Sequence, residues 1–600
     1  MDRVNTKSVS TILVTDAECA SALSCIRMLG QAGHKVYAIG SDTLAASAGS
    51  HYLERCYKKT SAWRDGEGFV RQVATICKEL QPHYVLPVSD ASVYYLMQEQ
   101  KSISEGVKIL TPSRDLSILG SSKIETFLSA KRQGIPIASG CVLQPGEPAL
   151  LPISYPLIAR TDNHINEDGA FCKGQAWVVK SSLELKQVRR ECDRTQQSLL
   201  VQKYIDGYGA GCFLLLEKGK TLCWHTHERL AEIPWYGGVS ARRRLTFNRE
   251  LLALSQKLLR DLDATGIAMV EFRFPHNPLN AEPLLVEVNA RPWGSMAIAV
   301  HAGIPFLTKW IEQRENKQSE PQVNNESEQL SIDGLVCTSI IPGEVGHLRS
   351  IFHSTLKREL SWQTCAKALS DSLLCVLSPR TRFDYFHYND PTPALYMLLN
   401  TATTIVTRTM KLISNKFEIA LLSVTHWMSS KRRLLNSNKS LTERQYLLIV
   451  CQGNRCRSPF LEMAIKAALG EDSICVFSRG LCVDHPTIPL RFFPTFEMFD
   501  FSPSKHRAQP LTRSDLKKAH RVIVMETKHA TELRRRFGWK HFFKCELPRQ
   551  KSGPFLEIHD PFTRSPVDAA KIFEQLNQCA YAELENHSRL RQNSGSPKVD

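Results

Sequence analysis

Cys451 closes an apolar run and opens the segment Tyr446-Leu-Leu-Ile-Val-Cys-Gln-Gly-Asn-Arg-Cys-Arg-Ser-Pro459, with Arg457 and Ser458 following after five intervening residues. A strand, a tight polar loop and a helix beginning near Ser458 turn the backbone N–H groups of Gln452 to Ser458 inward as an anion nest, with the positive end of the helix dipole behind it. Both effects favour a thiolate, so Cys451 reads as a nucleophile at neutral pH. Arg457 offers a planar fork for two phosphoryl oxygens. Ser458 can donate to the sulfur and ease its departure in a second step. This order of residue types suits displacement at phosphorus through a cysteinyl-phosphate.

A second group lies far upstream. Two apolar stretches, Ala268-Met-Val-Glu-Phe-Arg-Phe274 and Leu284-Leu-Val-Glu-Val-Asn-Ala290, flank a loop containing Pro and Asn and predict a hairpin. Side chains alternate along a strand, so Glu287 and Asn289 share a face and Glu271 can meet them from the partner strand. Two carboxylates and an amide among apolar neighbours are costly without a cation to neutralise them. Such oxygen donors suit Mg²⁺ held together with nucleotide phosphates. The plainer alternative is a pair of exposed strand faces.

The positioning elements follow from periodicity. Thr11 to Val14 reads as a strand, Ala17 to Ala32 as a helix and Lys35 to Ile39 as a second strand, with another at Tyr84-Val-Leu-Pro-Val88. That pattern predicts a parallel α/β sheet over residues 1–112. No Gly-x-Gly-x-x-Gly follows the first strand, no Gly-x4-Gly-Lys-[Ser/Thr] occurs, and Gly207-Tyr-Gly-Ala-Gly211 lacks a strand-loop-helix setting. Residues 313–329 are polar and read as a linker, 330–442 as a mainly helical connection without assignable chemistry, and 588–600 as a disordered tail.

The segment around Cys451 resembles the signature of the low-molecular-weight protein tyrosine phosphatases. The resemblance continues through Ser478-Arg-Gly480, Leu511-Thr-Arg-Ser-Asp-Leu516, Val522-Ile-Val-Met525 and His559-Asp-Pro-Phe562, and defines a domain at 443–587. It implies an α/β domain with a central parallel sheet, needing no metal. It also implies that Asp560 is the general acid, which then activates water to release phosphate. In the family a thiol placed like Cys456 can trap the oxidised nucleophile, so Cys451 and Cys456 are a candidate redox pair, with simple packing of Cys456 as the alternative. Arg455 and Gln452 depart from the usual pattern at the substrate mouth, where a cationic rim would suit an acidic phosphopeptide or a phosphorylated metabolite.

The stretch Val286-Glu-Val-Asn-Ala-Arg-Pro-Trp-Gly-Ser295 resembles the metal-binding end of the ATP-grasp enzymes. Lys123-Ile-Glu-Thr-Phe, Gly134-Ile-Pro136, the hinge Val201-Gln-Lys-Tyr-Ile-Asp-Gly207 and the loop Pro234-Trp-Tyr-Gly-Gly238 resemble other parts of that fold. The resemblance implies an α/β pre-ATP-grasp domain at 1–112 and an α+β grasp domain at 113–312. ATP would be met by Lys123, Arg160 and the hinge residues Val201, Gln202, Lys203 and Tyr204, with Mg²⁺ on Glu271, Glu287 and Asn289. Arg291 would stabilise an acyl-phosphate. Arg160 stands where the family usually has Lys, which replaces a point donor by a larger planar fork. Arg242-Arg-Arg244 reads either as an anion-capturing group or as a solvated strand edge.

Length and charge agree with this organisation. The 600 residues exceed one hydrophobic core, and the formal charge of +16 suits anionic substrates. Scattered cysteines without disulfide or metal spacing, and a start lacking a secretory layout, point to the cytoplasm. The apolar stretch from Leu395 to Met428 is interrupted by Arg408, Lys411 and Lys416, and the uninterrupted piece from Phe417, about a dozen residues, is too short to span a bilayer. The Lys431-Arg-Arg433 that follows leaves peripheral contact with an acidic surface open. No nucleic-acid module is recognisable, and the number of copies that assemble stays open. The expectation is a bifunctional chain: an ATP-dependent carboxylate–amine ligase acting through an acyl-phosphate, and a phosphatase acting on a phosphorylated protein or metabolite. The alternatives are a phosphatase regulated by a nucleotide-sensing front half, and a scaffold with both sites degraded.

Overall fold

The computed structural model describes residues 9–40, 45–58, 61–99, 103, 105–147, 154–166, 169–276, 282–315, 331–410, 413, 445–469, 474–549, 557–563 and 566–594. The chain forms two units, 1–403 and 404–600. The first unit opens with the expected βαβ: the strand Thr11–Val14, the helix Ala20–Gln31 and the strand Lys35–Gly40. These belong to a five-stranded parallel sheet ordered Leu53–Lys58, Lys35–Gly40, Thr11–Val14, Tyr84–Leu86, Lys108–Ile109. Near-continuous apolar runs such as Ile12, Leu13 and Val14, fully buried, are what a sheet covered on both faces requires.

A two-stranded antiparallel ribbon of His164–Ile165 with Phe171–Cys172 and two larger sheets, antiparallel except for the last pair of the second, complete this unit. A four-stranded one is ordered Ala176–Val179, Leu157–Arg160, Leu199–Lys203, Gly140–Leu143. The seven-stranded one begins with Leu284–Asn289, Gly266–Pro275 and Gly207–Glu217, continues with Lys220–Ile233 and Val239–Thr246, and ends with Val336–Thr338 and Thr381–Phe383. The predicted hairpin is present, with Glu271 opposite Glu287 and Met269 opposite Asn289.

The stretch after residue 330 is more than a helical connection. It carries the helices Val345–Leu356 and Trp362–Leu377, a helix at 392–410, and two short strands that extend the seven-stranded sheet. Buried ion pairs fix it there: Arg243 grips both Asp384 oxygens, and Arg27 Nε donates to Asp390 Oδ2 at 2.9 Å. Of Arg242-Arg-Arg244, Arg242 pairs with Glu344 and Arg243 with Asp384, both buried, while Arg244 meets Glu228 nearer the surface. Two of the three are therefore structural cations, which corrects both readings of that run. The expected linker lies, from residue 316, outside the described residues, and no helix among those described is long and apolar enough to cross a membrane.

The second unit is a four-stranded parallel sheet ordered Ile474–Gly480, Gln445–Cys451, Arg521–Val524, Cys545–Glu546. The helix Pro566–Ser594 places Phe573, Leu576 and Cys579 in the core beside Phe460 and Phe496. The tail expected to be disordered from 588 continues in this helix to Ser594.

Candidate functional sites

Cys451 ends the central strand Gln445–Cys451, and the helix Arg457–Leu469 starts six residues later, so the nucleophile sits at the carboxyl end of a parallel sheet, where such folds bind ligands. The intervening loop closes through Asn454, whose φ of 53° is a left-handed conformation that Asn tolerates better than most residues. Its backbone N–H donates to Cys451 Sγ at 3.3 Å. Its side-chain amide donates to Ser458 Oγ at 3.1 Å and Ser478 Oγ at 2.7 Å, and its Oδ1 accepts from the Gln509 N–H at 2.8 Å. Because Ser458 Oγ already accepts from Asn454, its own hydrogen is free for Cys451 Sγ, 3.0 Å away. Gly480 lets the neighbouring strand approach: a Cβ there would lie 2.9 Å from the Gly453 carbonyl carbon.

Arg457 is 2% exposed and already aimed. It donates to Glu526 and to the Ile558 carbonyl, 2.9 Å, and its other terminal nitrogen lies 3.3 Å from Asp560 Oδ2. Burial works against the guanidinium charge, but Cys451, Asp560 and Glu526 outweigh it and hold Arg457 firmly protonated. Burial likewise acts to raise the Glu526 carboxyl, yet the hydrogen bonds from Arg457 and Lys528 keep it below the usual range. Burial first, then the neighbouring Cys451 and Asp560, push the Cys456 thiol well above its ordinary range, so Cys456 stays a neutral thiol. Cys451, Arg455, Cys456, Arg457 and Asp560 line one cavity of about 210 Å³, together with Cys482, Asp484 and Phe562.

The sequence reading placed Cys451, Arg457, Ser458 and Asp560 here and missed Glu526. A carboxylate directly after the buried strand residues Val522 to Met525 was the available signal, because strand ends at this edge face the ligand. Arg455 reaches the mouth but is not a free cationic rim. It donates to the Thr487 carbonyl at 3.0 Å, lies 3.7 Å from Asp484, and is only 16% exposed.

In the first unit the hairpin brings Glu271, Glu287 and Asn289 together. The Asn289 amide donates to Glu271 Oε1 at 3.3 Å and Glu287 Oε1 at 3.1 Å. Arg229 pairs with Glu271 and lies 3.4 Å from Glu232. Burial, with Glu287 nearby, raises the Glu271 carboxyl despite Arg229. Burial acts to raise Glu287 too, but Lys123, Arg160 and the Asn289 hydrogen bond prevail and hold it below its ordinary value.

The other expected residues surround this face unevenly. Arg160 is buried, donates to Gln202 Oε1 and to the Val286 carbonyl at 3.3 Å, and stands 4.0 Å from Glu287. Lys123 begins a helix, its N–H donating to Asp162 at 2.7 Å. Arg291 Nε donates to Asp90 at 2.7 Å, and its NH2 lies 3.5 Å from Asn289 Oδ1. Val201 is buried in its strand, and the N–H groups of Lys203 and Tyr204 donate to Ser139 and Pro156 carbonyls. The sequence reading missed Arg229, which lies two residues past His227, the register partner of Gly211, itself opposite Glu271.

A strand-end thiol, a closed nest, a buried guanidinium and a carboxyl group in one cavity define a cysteine-dependent phosphate site. Residues 446–593 match the family model for low molecular weight phosphotyrosine protein phosphatase. The probable low molecular weight protein-tyrosine-phosphatase EpsP of Ralstonia nicotianae is 30% identical over 132 residues, 22% of this chain and 88% of that protein. Its counterpart in Ralstonia solanacearum is 31% identical over 118 residues, 20% of this chain and 79% of that protein. Through these residues the chain belongs to the low molecular weight protein-tyrosine-phosphatase family.

Among solved structures, pyruvate carboxylase of Rhizobium etli is similar at 17% identity and a TM-score of 0.42, over 54% of this chain and 30% of that one. The chain thus spans less than a third of that protein's length. Biotin carboxylase of Campylobacter jejuni is similar at 15% identity and a TM-score of 0.42, over 55% of this chain and 75% of that one.

Proposed function

We propose that the second unit hydrolyses phosphomonoesters of the phosphotyrosine type through a cysteinyl-phosphate. The observation that carries this is the nucleophile's setting: Cys451 Sγ has Ser458 Oγ at 3.0 Å and the Asn454 N–H at 3.3 Å, with Arg457 and Asp560 3.3 Å apart in the same cavity. Cys451 attacks phosphorus in line while the leaving oxygen takes the proton of Asp560. The resulting carboxylate then removes a proton from water, whose oxygen attacks phosphorus, and the sulfur departs as thiolate with Ser458 donating to it. The charge that balances the phosphoryl oxygens comes from Arg457 and the loop amides. Hydrolysis of an aryl phosphate by the full chain, measured with a chelator present and again with Cys451→Ser, tests the reading: activity that needs a divalent ion or survives the substitution ends it.

For the first unit we propose an ATP-dependent ligase that joins a carboxylate to an amine or similar nucleophile through an acyl-phosphate. The residues fit a metal–nucleotide: Glu271, Glu287 and Asn289 are hard donors too few to cage an ion alone, and the cations Lys123, Arg160 and Arg291 nearby suit phosphate oxygens. Mg²⁺ held on those three oxygen donors would withdraw charge from the phosphates it shares. Arg291, anchored by Asp90, would steady the acyl-phosphate, and Lys123 and Arg160 would orient the transferring end of ATP. ADP release against a panel of carboxylates and amines tests this. A second reading, nucleotide sensing, is favoured by Arg160, whose fork is committed to Gln202 and the Val286 carbonyl. ATP binding that alters phosphatase kinetics without any stimulated ADP release would select it.

A further inference from the structure

The general acid lies on a loop, and a proton donor misplaced by an ångström can cost about 10²-fold in rate. Among the described residues Asp560 has two ties, Arg457 at 3.3 Å and the Phe562 N–H, which donates to its Oδ1 at 3.2 Å. Its side chain is 37% exposed. Phe562 is held far more firmly. Arg491 lies 4.6 Å over its ring and donates to its carbonyl at 3.0 Å, Phe492 meets the ring edge-on at 5.4 Å, and Arg455 lies 5.4 Å over it. Arg455 is in turn anchored by the Thr487 carbonyl and by Asp484. One guanidinium thereby links three loops: the nucleophile's own, the segment 484–487 and the acid's.

We propose that Arg455 and Arg491 are positioning residues that grip the ring of Phe562 and so hold Asp560 where it can protonate the leaving oxygen. The proposal rests on the phosphatase reading above. An Arg455 used to capture acidic substrates would present its donors to solvent; here Nε is already engaged and little of the side chain is exposed. Guanidinium over an aromatic face is the contact that Lys or an aliphatic residue at 455 would make less well.

The test compares two leaving groups on the full chain, because their ratio does not depend on the fraction of enzyme folded. Phenyl phosphate needs a proton on its leaving oxygen, whereas 2,4-dinitrophenyl phosphate does not. Arg455→Met should lower kcat/KM, which reports only the steps up to loss of the leaving group and not the later hydrolysis in which Asp560 is the base, about 10-fold for phenyl phosphate and leave dinitrophenyl phosphate within about 2-fold, as expected for a weakened general acid. The alkaline fall in kcat/KM for phenyl phosphate should flatten as well. Arg491→Met should act in the same direction, and Arg455→Met should add little once Phe562→Leu is present. Equal losses of kcat/KM on both substrates overturn the proposal, as does a rise in KM confined to acidic phosphopeptides, which would make Arg455 a substrate contact. Activity that survives Cys451→Ser would instead overturn the phosphatase reading itself.

Discussion

Eight consecutive residues, Cys451 to Ser458, provide the nucleophile, the nest and the guanidinium of the phosphatase pocket, and one buried Asn ties them together. The carboxylate face of the first unit is gathered instead from distant places: Glu271, Glu287 and Asn289 from a hairpin, Arg229 from a third strand, Lys123 and Arg160 from still further upstream. The two also differ in what their charges are doing. Arg457 is braced by Glu526 and the Ile558 carbonyl, which entering phosphate leaves in place, and only the contact of its remaining nitrogen with Asp560 at 3.3 Å has to yield. Glu271 is held by Arg229, and a metal ion would have to take that carboxylate from its partner. A site made of backbone amides is complete as folded, while one made of paired side chains must exchange partners to load.

The sharpest way to break this comparison is to remove one group from each side. Cys451→Ser should lower aryl phosphate hydrolysis by about 10³-fold or more while inorganic phosphate still binds by calorimetry. Glu287→Ala should abolish stimulated ADP release and leave phosphatase kinetics unchanged. Next in size is Asp384→Ala, which strands the buried Arg243 and should cost the first unit about 3–5 kcal/mol in a denaturant melt. A negligible loss would mean that 331–390 is not part of that unit's core. Asp560→Ala should slow hydrolysis of a poor leaving group by about 10²-fold in steady-state assays.

The smallest effect separates the units by pH. Burial, aided by nearby Arg side chains, lowers His225 to about 4 and His227 well below its ordinary value; burial also lowers His301 to about 4. In the phosphatase, burial and then Arg457 lower His529 to about 3. Each stays neutral when folded but takes a proton when unfolded below about pH 6.5, so stability falls as pH drops, by about 1.4 kcal/mol per pH unit for each imidazole until its folded pKa is reached. Lesser lowering of His387 in the first unit and of His506 and His541 in the second makes the count four against three, but the deepest shifts are three against one, so calorimetry at pH 7.5 and 5.5 should show the first unit's transition falling further than the second's. The reverse order would show that the buried imidazoles do not govern acid sensitivity.

Much of the phosphatase site was legible because its chemistry is contiguous: strand, nest, Arg457 and Ser458 follow one another, and Asp560 came with the resemblance. Glu526 was not, since its role depends on a parallel neighbour some seventy residues on in the chain. The hairpin carrying Glu271, Glu287 and Asn289 was legible from period-two alternation, and its register followed. The strands Val336–Thr338 and Thr381–Phe383 were not, because three residues show no periodicity and the ion pairs that seat them join residues far apart in sequence. Arg243 read equally well as a ligand cation or a solvated edge, and only its partner Asp384 decides.

The left-handed turn at Asn454 has a consequence for how the enzyme is throttled. A nest locked by Asn454 before anything binds need not be ordered by either free phosphate or an ester's phosphoryl end, so the loop itself sets no barrier to the product. Product should therefore compete with substrate, and if the first unit consumes ATP to phosphate as proposed, its turnover would restrain the second through solution alone.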